Sequence, residues 1–322
     1  IAEWSYEMGL KEILKKQGGM NLLRQYWNGG AFFTAVGEFL LLGKSRTSLE
    51  ILRNAASLKI RQNLEKGYSD KIAEIEKKYK EETCPKEPRK VWICWFQGMD
   101  SAPEIVKRCY ASVRENITDR EIVLLTEENY REYVAFPQEI QNKIDCGIIK
   151  GAHMSDLLRL ELLQKYGGTW IDATVFCASK SIPAYMLDSD LFLFQCLKPG
   201  RDGQPSIISN WFMTAKPNQK FIFMMRELLY DYWENNDEVV DYFIFHDFFQ
   251  MLIDRYPAEW NKVVPFSNSV PHILLLRLFD EYNDDIWNAV VQMTPFHKLT
   301  YKFDDSETLK TNTYYQRIME KL

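Results

Sequence analysis

The sequence predicts an α/β fold: one Rossmann-like domain with a mixed, mostly parallel sheet, preceded by a helical region. Three observations predict it. From Lys90 onward, short apolar runs of strand length alternate with segments of helical period, the pattern of a sheet covered on both faces. Residues 1–83 carry helical periodicity instead. Between the two, Cys84-Pro85-Lys86-Glu87-Pro88 holds paired prolines, which forbid helix continuation and mark a boundary. The expected organisation is a helical region over residues 1–83, the α/β domain over 84–305 and a polar tail over 306–322.

Size and composition bound the function. A chain of 322 residues buries one sizeable core plus an appendage, and 46% hydrophobic with 14% aromatic content excludes a disordered chain. A net charge of −5 argues against nucleic acid as a partner. The charge is uneven: residues 1–90 hold 17 basic and 12 acidic side chains, leaving 23 and 33 for the remainder. A basic front on an acidic body suits an anionic neighbour, most simply a membrane surface. No apolar run approaches the ~18 residues of a spanning helix; residues 31–42 come closest and contain Glu38. The six cysteines are dispersed without a Cys-x-x-Cys pair, as expected of a reduced, cytoplasmic protein.

In the front region, Leu64, Tyr68, Ile72, Ile75 and Tyr79 fall three or four apart and form one apolar stripe. Two readings of residues 1–83 stand: a helical hairpin packed on the main domain, or an interfacial platform using Trp4, Tyr26, Trp27, Phe32, Phe33 and nearby basic residues. In the α/β region, residues 91–96 read as a buried strand ended by Gln97-Gly98. Ser101-x-x-Glu104 is a capping-box signature for a helix to about Asn116. Residues 121–126, 191–197 and 206–214 read as strands, and residues 127–133, 217–233 and 239–255 as helices.

Residues 155–174 are the most informative. Ser155 is placed to cap a helix, Asp156 falls in its first turn, and five leucines between 157 and 163 supply its apolar stripe. Gly167 ends it, and Thr169-Trp170-Ile171 then forms a buried strand that delivers Asp172 to the crevice where open α/β sheets bind ligands. Asp156 and Arg159, three apart, share one helical face. Two carboxylates and a guanidinium so arranged suit a metal-bound sugar nucleotide. A hard cation such as Mn²⁺ or Mg²⁺ would bridge phosphate oxygens to Asp172. No Gly-x-x-x-x-Gly-Lys or Gly-x-Gly-x-x-Gly phosphate loop is present.

Ser155-Asp156-x-x-Arg159 followed by Gly167-Gly168-x-Trp170-x-Asp172-x-Thr174 resembles glycosyltransferase family 32, particularly its bacterial capsular-polysaccharide-synthesis branch. The likeness continues through residues 90–98 and 208–212 and covers residues 85–255. It implies a GT-A-type fold and retaining transfer of a hexose from a nucleotide-sugar donor, UDP-linked by preference. The implied acceptor is a polysaccharide or lipid-linked glycan at the inner membrane face. It also implies that Asp156, Arg159 and Asn210 serve catalysis. Trp92, Ile93, Trp95, Gln97, Gly98, Gly168 and Trp170 would join Asp156, Arg159 and Asp172 around the donor, with Trp92 stacking the base. Asp172, Thr174, His246 and Asp247 are the candidate metal ligands. Thr174 stands where relatives with a strict Asp-x-Asp carry a second carboxylate, and a hydroxyl is a poor ligand. That departure keeps a second reading open, a sugar-nucleotide or glycan-binding module whose catalytic power has decayed.

Overall fold

The computed structural model describes residues 19–81, 89–197 and 207–320. Trp4 and the proline-marked boundary at 84–88 lie outside the described residues.

The front region folds into α1 (Met20–Asn28), α2 (Phe32–Leu42) and α3 (Arg46–Lys78). Ser45 caps α3 by accepting from the Ser48 N–H at 3.0 Å. Leu52, Ala56, Ile60, Leu64, Ile72 and Ile75 recur along one face of this 33-residue helix and are buried. They belong to the same apolar cluster as the leucines of residues 157–163, and Tyr68 meets Phe248 edge-on at 4.8 Å. The helices therefore pack directly on the α/β body.

The body runs β1 (Lys90–Cys94), α4 (Glu104–Asn116), β2 (Glu121–Leu125), α5 (Gln138–Asp145), α6 (Ala152–Tyr166), β3 (Gly168–Ile171), β4 (Val175–Cys177), β5 (Leu191–Gln195), β6 (Ile208–Ala215), α7 (Lys220–Asn235), α8 (Ile244–Arg255), α9 (Asp284–Met293) and β7 (Phe296–Lys298). The main sheet has the order β2-β1-β3-β6-β5. β1 is parallel to β2 and β3, and β6 is antiparallel to both β3 and β5. Four of the five strands thus share one direction, the mostly parallel mixed sheet the sequence predicts. Along β1, Trp92 enters the core under α6, while Val91 and Ile93 enter the core under α4. Burial on both faces explains why the strand reads as an unbroken apolar run. A second, two-stranded sheet pairs β4 with β7 in antiparallel register, Val175 opposite Lys298.

Several local expectations are corrected. The Ser101 hydroxyl donates back to the carbonyls of Gln97 and Gly98, at 2.8 and 3.1 Å, and α4 starts after Pro103 with no side-chain cap. Only residues 130–133 of the 127–133 helix form. The helix expected from residue 239 begins at Ile244, because Asp241 folds the preceding loop by accepting from the Phe243 N–H at 2.8 Å. The segment read as a loose tail ends in a short helix, Tyr314–Met319, with Tyr314 and Ile318 fully buried. Arg108 ties it down by donating to the Ile318 carbonyl at 3.0 Å.

Candidate functional site

The site is built by a helix, a tight turn and a strand. α6 begins one turn earlier than the sequence implies, with Gly151 at its cap, so Ser155 does not cap it and Asp156 lies beyond its first turn. Between α6 and β3 the chain reverses through Gly167 and Gly168. A Cβ on Gly168, whose φ is +96°, would sit 2.3 Å from the Lys90 carbonyl oxygen of β1. That close approach sets β3 against β1 and brings Asp172, just past its end, back beneath α6.

The three charged residues of the motif converge. Arg159 donates through Nη1 to Asp156 Oδ1 at 2.7 Å, and its Nη2 lies 3.6 Å from Asp172 Oδ1. Asn210, on β6, donates to the same Asp156 oxygen at 2.9 Å. The Trp170 indole N–H donates to Asp172 Oδ1 at 3.0 Å, and the Arg159 guanidinium lies 5.0 Å over the Trp170 ring. Asp156 and Arg159 are buried, whereas the Asp172 side chain is 28% exposed and opens the cluster to the crevice.

Burial and charge set the two carboxylates apart. Burial pushes Asp156 up to about 7, outweighing the pull of Arg159, with the Asp172 charge adding to the rise. Burial also acts to raise Asp172, but Lys298 and Arg159 overcome it and hold that carboxyl below its usual value. A carboxylate pair driven in opposite directions is a mark of a functional cluster.

Lys298, which the sequence reading passes over, is the residue that completes the cluster. Its Nζ lies 3.1 Å from Asp172 Oδ2 and donates to the Thr174 hydroxyl. The pairing of Val175 with Lys298 puts it there, one residue past Thr174 and on the neighbouring strand. Tyr242 is a second addition. It packs on the His153 ring at 5.6 Å and lies within electrostatic reach of Asp156, Arg159 and Asp172. His153 itself stands 4.0 Å from Asp156 Oδ2, and burial lowers its pKa.

Other expected site residues lie elsewhere. Trp92 is fully buried, donates from its indole to the Gly167 carbonyl at 2.9 Å, and packs among Tyr133 and Tyr166. Ile93 is buried in the opposite core. Neither can stack a base; both hold the frame, as Gly168 and Trp170 do from closer in. Trp95, past the end of β1, is half-buried and meets Tyr301 edge-on at 5.4 Å. Its indole nitrogen has no partner among the described residues. Gln97 and Gly98 follow in the turn at the same strand end, Gln97 exposed.

The four candidate metal ligands are not brought together. Asp172 and Thr174 share Lys298 as their partner. His246 is pushed down to about 3 by burial, with Arg159 adding to the fall. Asp247 is pushed up to about 8 by burial, and the charges acting on it are Asp241 and, from α3, Arg61 and Glu65. Among the described residues no three His, Cys, Asp or Glu side chains are placed to hold a metal ion. The donor set around Asp172 therefore does not fit a divalent cation, being one carboxylate, one hydroxyl and two cationic side chains.

Beside the cluster lies a cavity of about 900 Å³ between α1, α3 and the start of α8. Asn54, Ser57 and Arg53 line it from α3, and Ser209, Asp241 and Tyr242 from the body.

The chain matches the family model described as capsular polysaccharide synthesis protein over residues 44–318. It is similar to the O-glycosyltransferase braB of Annulohypoxylon truncatum, with 30% identity over 169 residues. The match takes in 47% of this chain and 39% of that relative, so the chain spans well under half its length. It is also similar to the solved PaToxG Glycosyltransferase, at 15% identity and a TM-score of 0.37, over 81% of this chain and 95% of that one.

Proposed function

Because the chain belongs to the capsular polysaccharide synthesis protein family, we propose that it is a retaining hexosyltransferase of the family 32 type, with a GT-A-type catalytic domain. It moves a hexose from a nucleoside-diphosphate donor, UDP-linked by preference, to a glycan or lipid-linked acceptor. The observation that carries this reading is the junction of Asp156, Arg159, Asn210 and Asp172 at one crevice.

Each group has a task. Arg159 faces the diphosphate end of the donor, its guanidinium fork meeting phosphate or hydroxyl oxygens, and Asp172 holds that guanidinium in place. Asp156, fixed through one oxygen by Arg159 and Asn210, keeps its second oxygen to accept from a sugar hydroxyl. Trp95 and Tyr301 offer the aromatic edge for the base. In the transfer, the bond from the anomeric carbon to the diphosphate oxygen breaks with its electron pair left on that oxygen. The acceptor hydroxyl oxygen bonds to the same face of the carbon, and its proton passes to the departing diphosphate. No carboxylate placed as a nucleophile is needed in such a route.

The cavity walled by α3 and Tyr242 is the approach for the acceptor, since Tyr242 joins it to the charged cluster. A location at the inner membrane face draws support from α2. Its inner side packs through Phe32, Ala35 and Phe39 on the core, while Phe33, Leu40 and Leu41 on the outer side are 78%, 77% and 82% exposed. Lys44 and Arg46 stand exposed just past its end. Among the described residues no helix is long and apolar enough to cross a membrane.

The test is release of nucleoside diphosphate from a panel of UDP- and GDP-sugars by the purified protein. One donor should be turned over, and full activity in Asp172→Ala would end the assignment.

A further inference from the structure

We propose that Lys298, together with Arg159, supplies the positive charge that meets the leaving diphosphate, so that the reaction runs without a divalent cation. This inference rests on the hexosyltransferase reading and concerns the same crevice.

The first argument is that Asp172 has no oxygen to spare. Oδ1 accepts from the Trp170 indole and faces Arg159, while Oδ2 faces Lys298. A cation bound there would displace both basic side chains and gain a single carboxylate, a poor exchange for an ion that favours several oxygen ligands. The second argument concerns Thr174. A second carboxylate at this position would serve a metal, whereas a hydroxyl is a poor substitute for it, and here the hydroxyl accepts from Lys298 instead. The departure in the motif and the lysine therefore form one unit.

Topology supplies the third argument. β4 begins directly after the Asp172-Ala173-Thr174 segment, and its only partner strand in this small sheet is β7, whose last residue is Lys298. The antiparallel register places Lys298 against Val175, so its side chain is carried to Asp172 by backbone hydrogen bonding and not by a mobile loop. At 19% exposure the Lys298 side chain is neither sealed in the core nor free in solvent, which is where a group must lie to touch a ligand from the crevice. Two fixed cations aimed at the oxygen that gains charge need no reorganisation when the bond breaks.

In the step itself, the electron pair of the broken carbon–oxygen bond stays on the terminal diphosphate oxygen. Lys298 and Arg159 donate hydrogen bonds to the diphosphate oxygens, and no proton or electron is exchanged with the protein.

Calorimetric titration of the full chain with UDP and with GDP tests this, first in EDTA and then with Mn²⁺ or Mg²⁺ added. One nucleotide should bind with the same affinity in both. Lys298→Met should weaken that binding by between about tenfold and a hundredfold, the worth of a charge-assisted hydrogen bond. Lys298→Arg should retain it to within a few-fold, and both variants should keep the circular dichroism spectrum of the parent. Binding that requires Mn²⁺ or Mg²⁺, or that Lys298→Met leaves unchanged, overturns the inference while leaving the hexosyltransferase reading standing. If neither nucleotide binds under any condition, the hexosyltransferase reading falls and this inference with it.

Discussion

Asp156→Asn should make the protein more stable and less active, and the stability gain should depend on pH. In the folded protein, burial moves this carboxyl from 3.8 to about 7. A shift of about 3 units at ~1.36 kcal/mol each corresponds to ~4 kcal/mol of destabilisation at pH well above 7. The sign follows from proton binding. Between 3.8 and about 7 the folded protein holds this proton more tightly than the unfolded chain, so stability falls as pH rises through that window. Asparagine is isosteric and does not ionise. It keeps an oxygen for the Arg159 and Asn210 donors, and the shift to about 7 already contains the pull of Arg159 on the charged form. The gain is then up to about 4 kcal/mol at pH well above 7. Urea unfolding at about pH 8.5 and about pH 4.5 measures it, and most of the gain should be gone at the lower pH. Donor turnover should drop roughly a hundredfold, because the amide nitrogen that replaces Oδ2 can no longer accept from a sugar hydroxyl. A variant that is less stable at both pH values, or whose advantage is the same at both, would refute the reasoning. So would one that turns donor over at the parental rate.

Two further outcomes are expected. Gly168→Ala forces a Cβ to within 2.3 Å of the Lys90 carbonyl at a φ of +96°, and should cost about 3 kcal/mol or prevent folding; an unchanged thermal midpoint would refute the close approach of β3 to β1. The triple change Phe33→Ser, Leu40→Ser and Leu41→Ser removes the exposed stripe of α2. It should lower sedimentation with vesicles of anionic lipid by about tenfold or more without altering donor hydrolysis in solution, and unaltered sedimentation would discard the membrane role of α2.

The motif of residues 155–174 was legible because its information is local. A helix, a glycine turn and a strand follow one another, and their spacing alone carries Asp156, Arg159 and Asp172 to one point. Lys298 was not, since 126 residues separate it from Asp172 and only the β4–β7 pairing joins them. Trp92 misled for a different reason. A tryptophan on a buried strand looks the same in sequence whether its ring meets a ligand or the core, and here its indole N–H is spent on the turn carbonyl of Gly167. His246 and Asp247 are adjacent in sequence, but different charges act on them, Arg159 on the first and Asp241 with Arg61 and Glu65 of α3 on the second. The Ser101 cap failed locally: Ser101 ends a short turn at residues 99–101 that bends its hydroxyl toward earlier carbonyls, and Pro103 takes the cap position. The sheet order was beyond reach of any of these signals, because β6 enters between β3 and β5 against their direction.

The most direct measurement is a binding isotherm for the parent chain and its Arg159→Ala and Lys298→Met variants with the nucleoside diphosphate of whichever sugar donor is turned over. Binding by the parent that is lost or weakened at least tenfold in both variants, each still folded, is the expected result. Equal binding by all three would contradict the claim that these side chains surround the diphosphate.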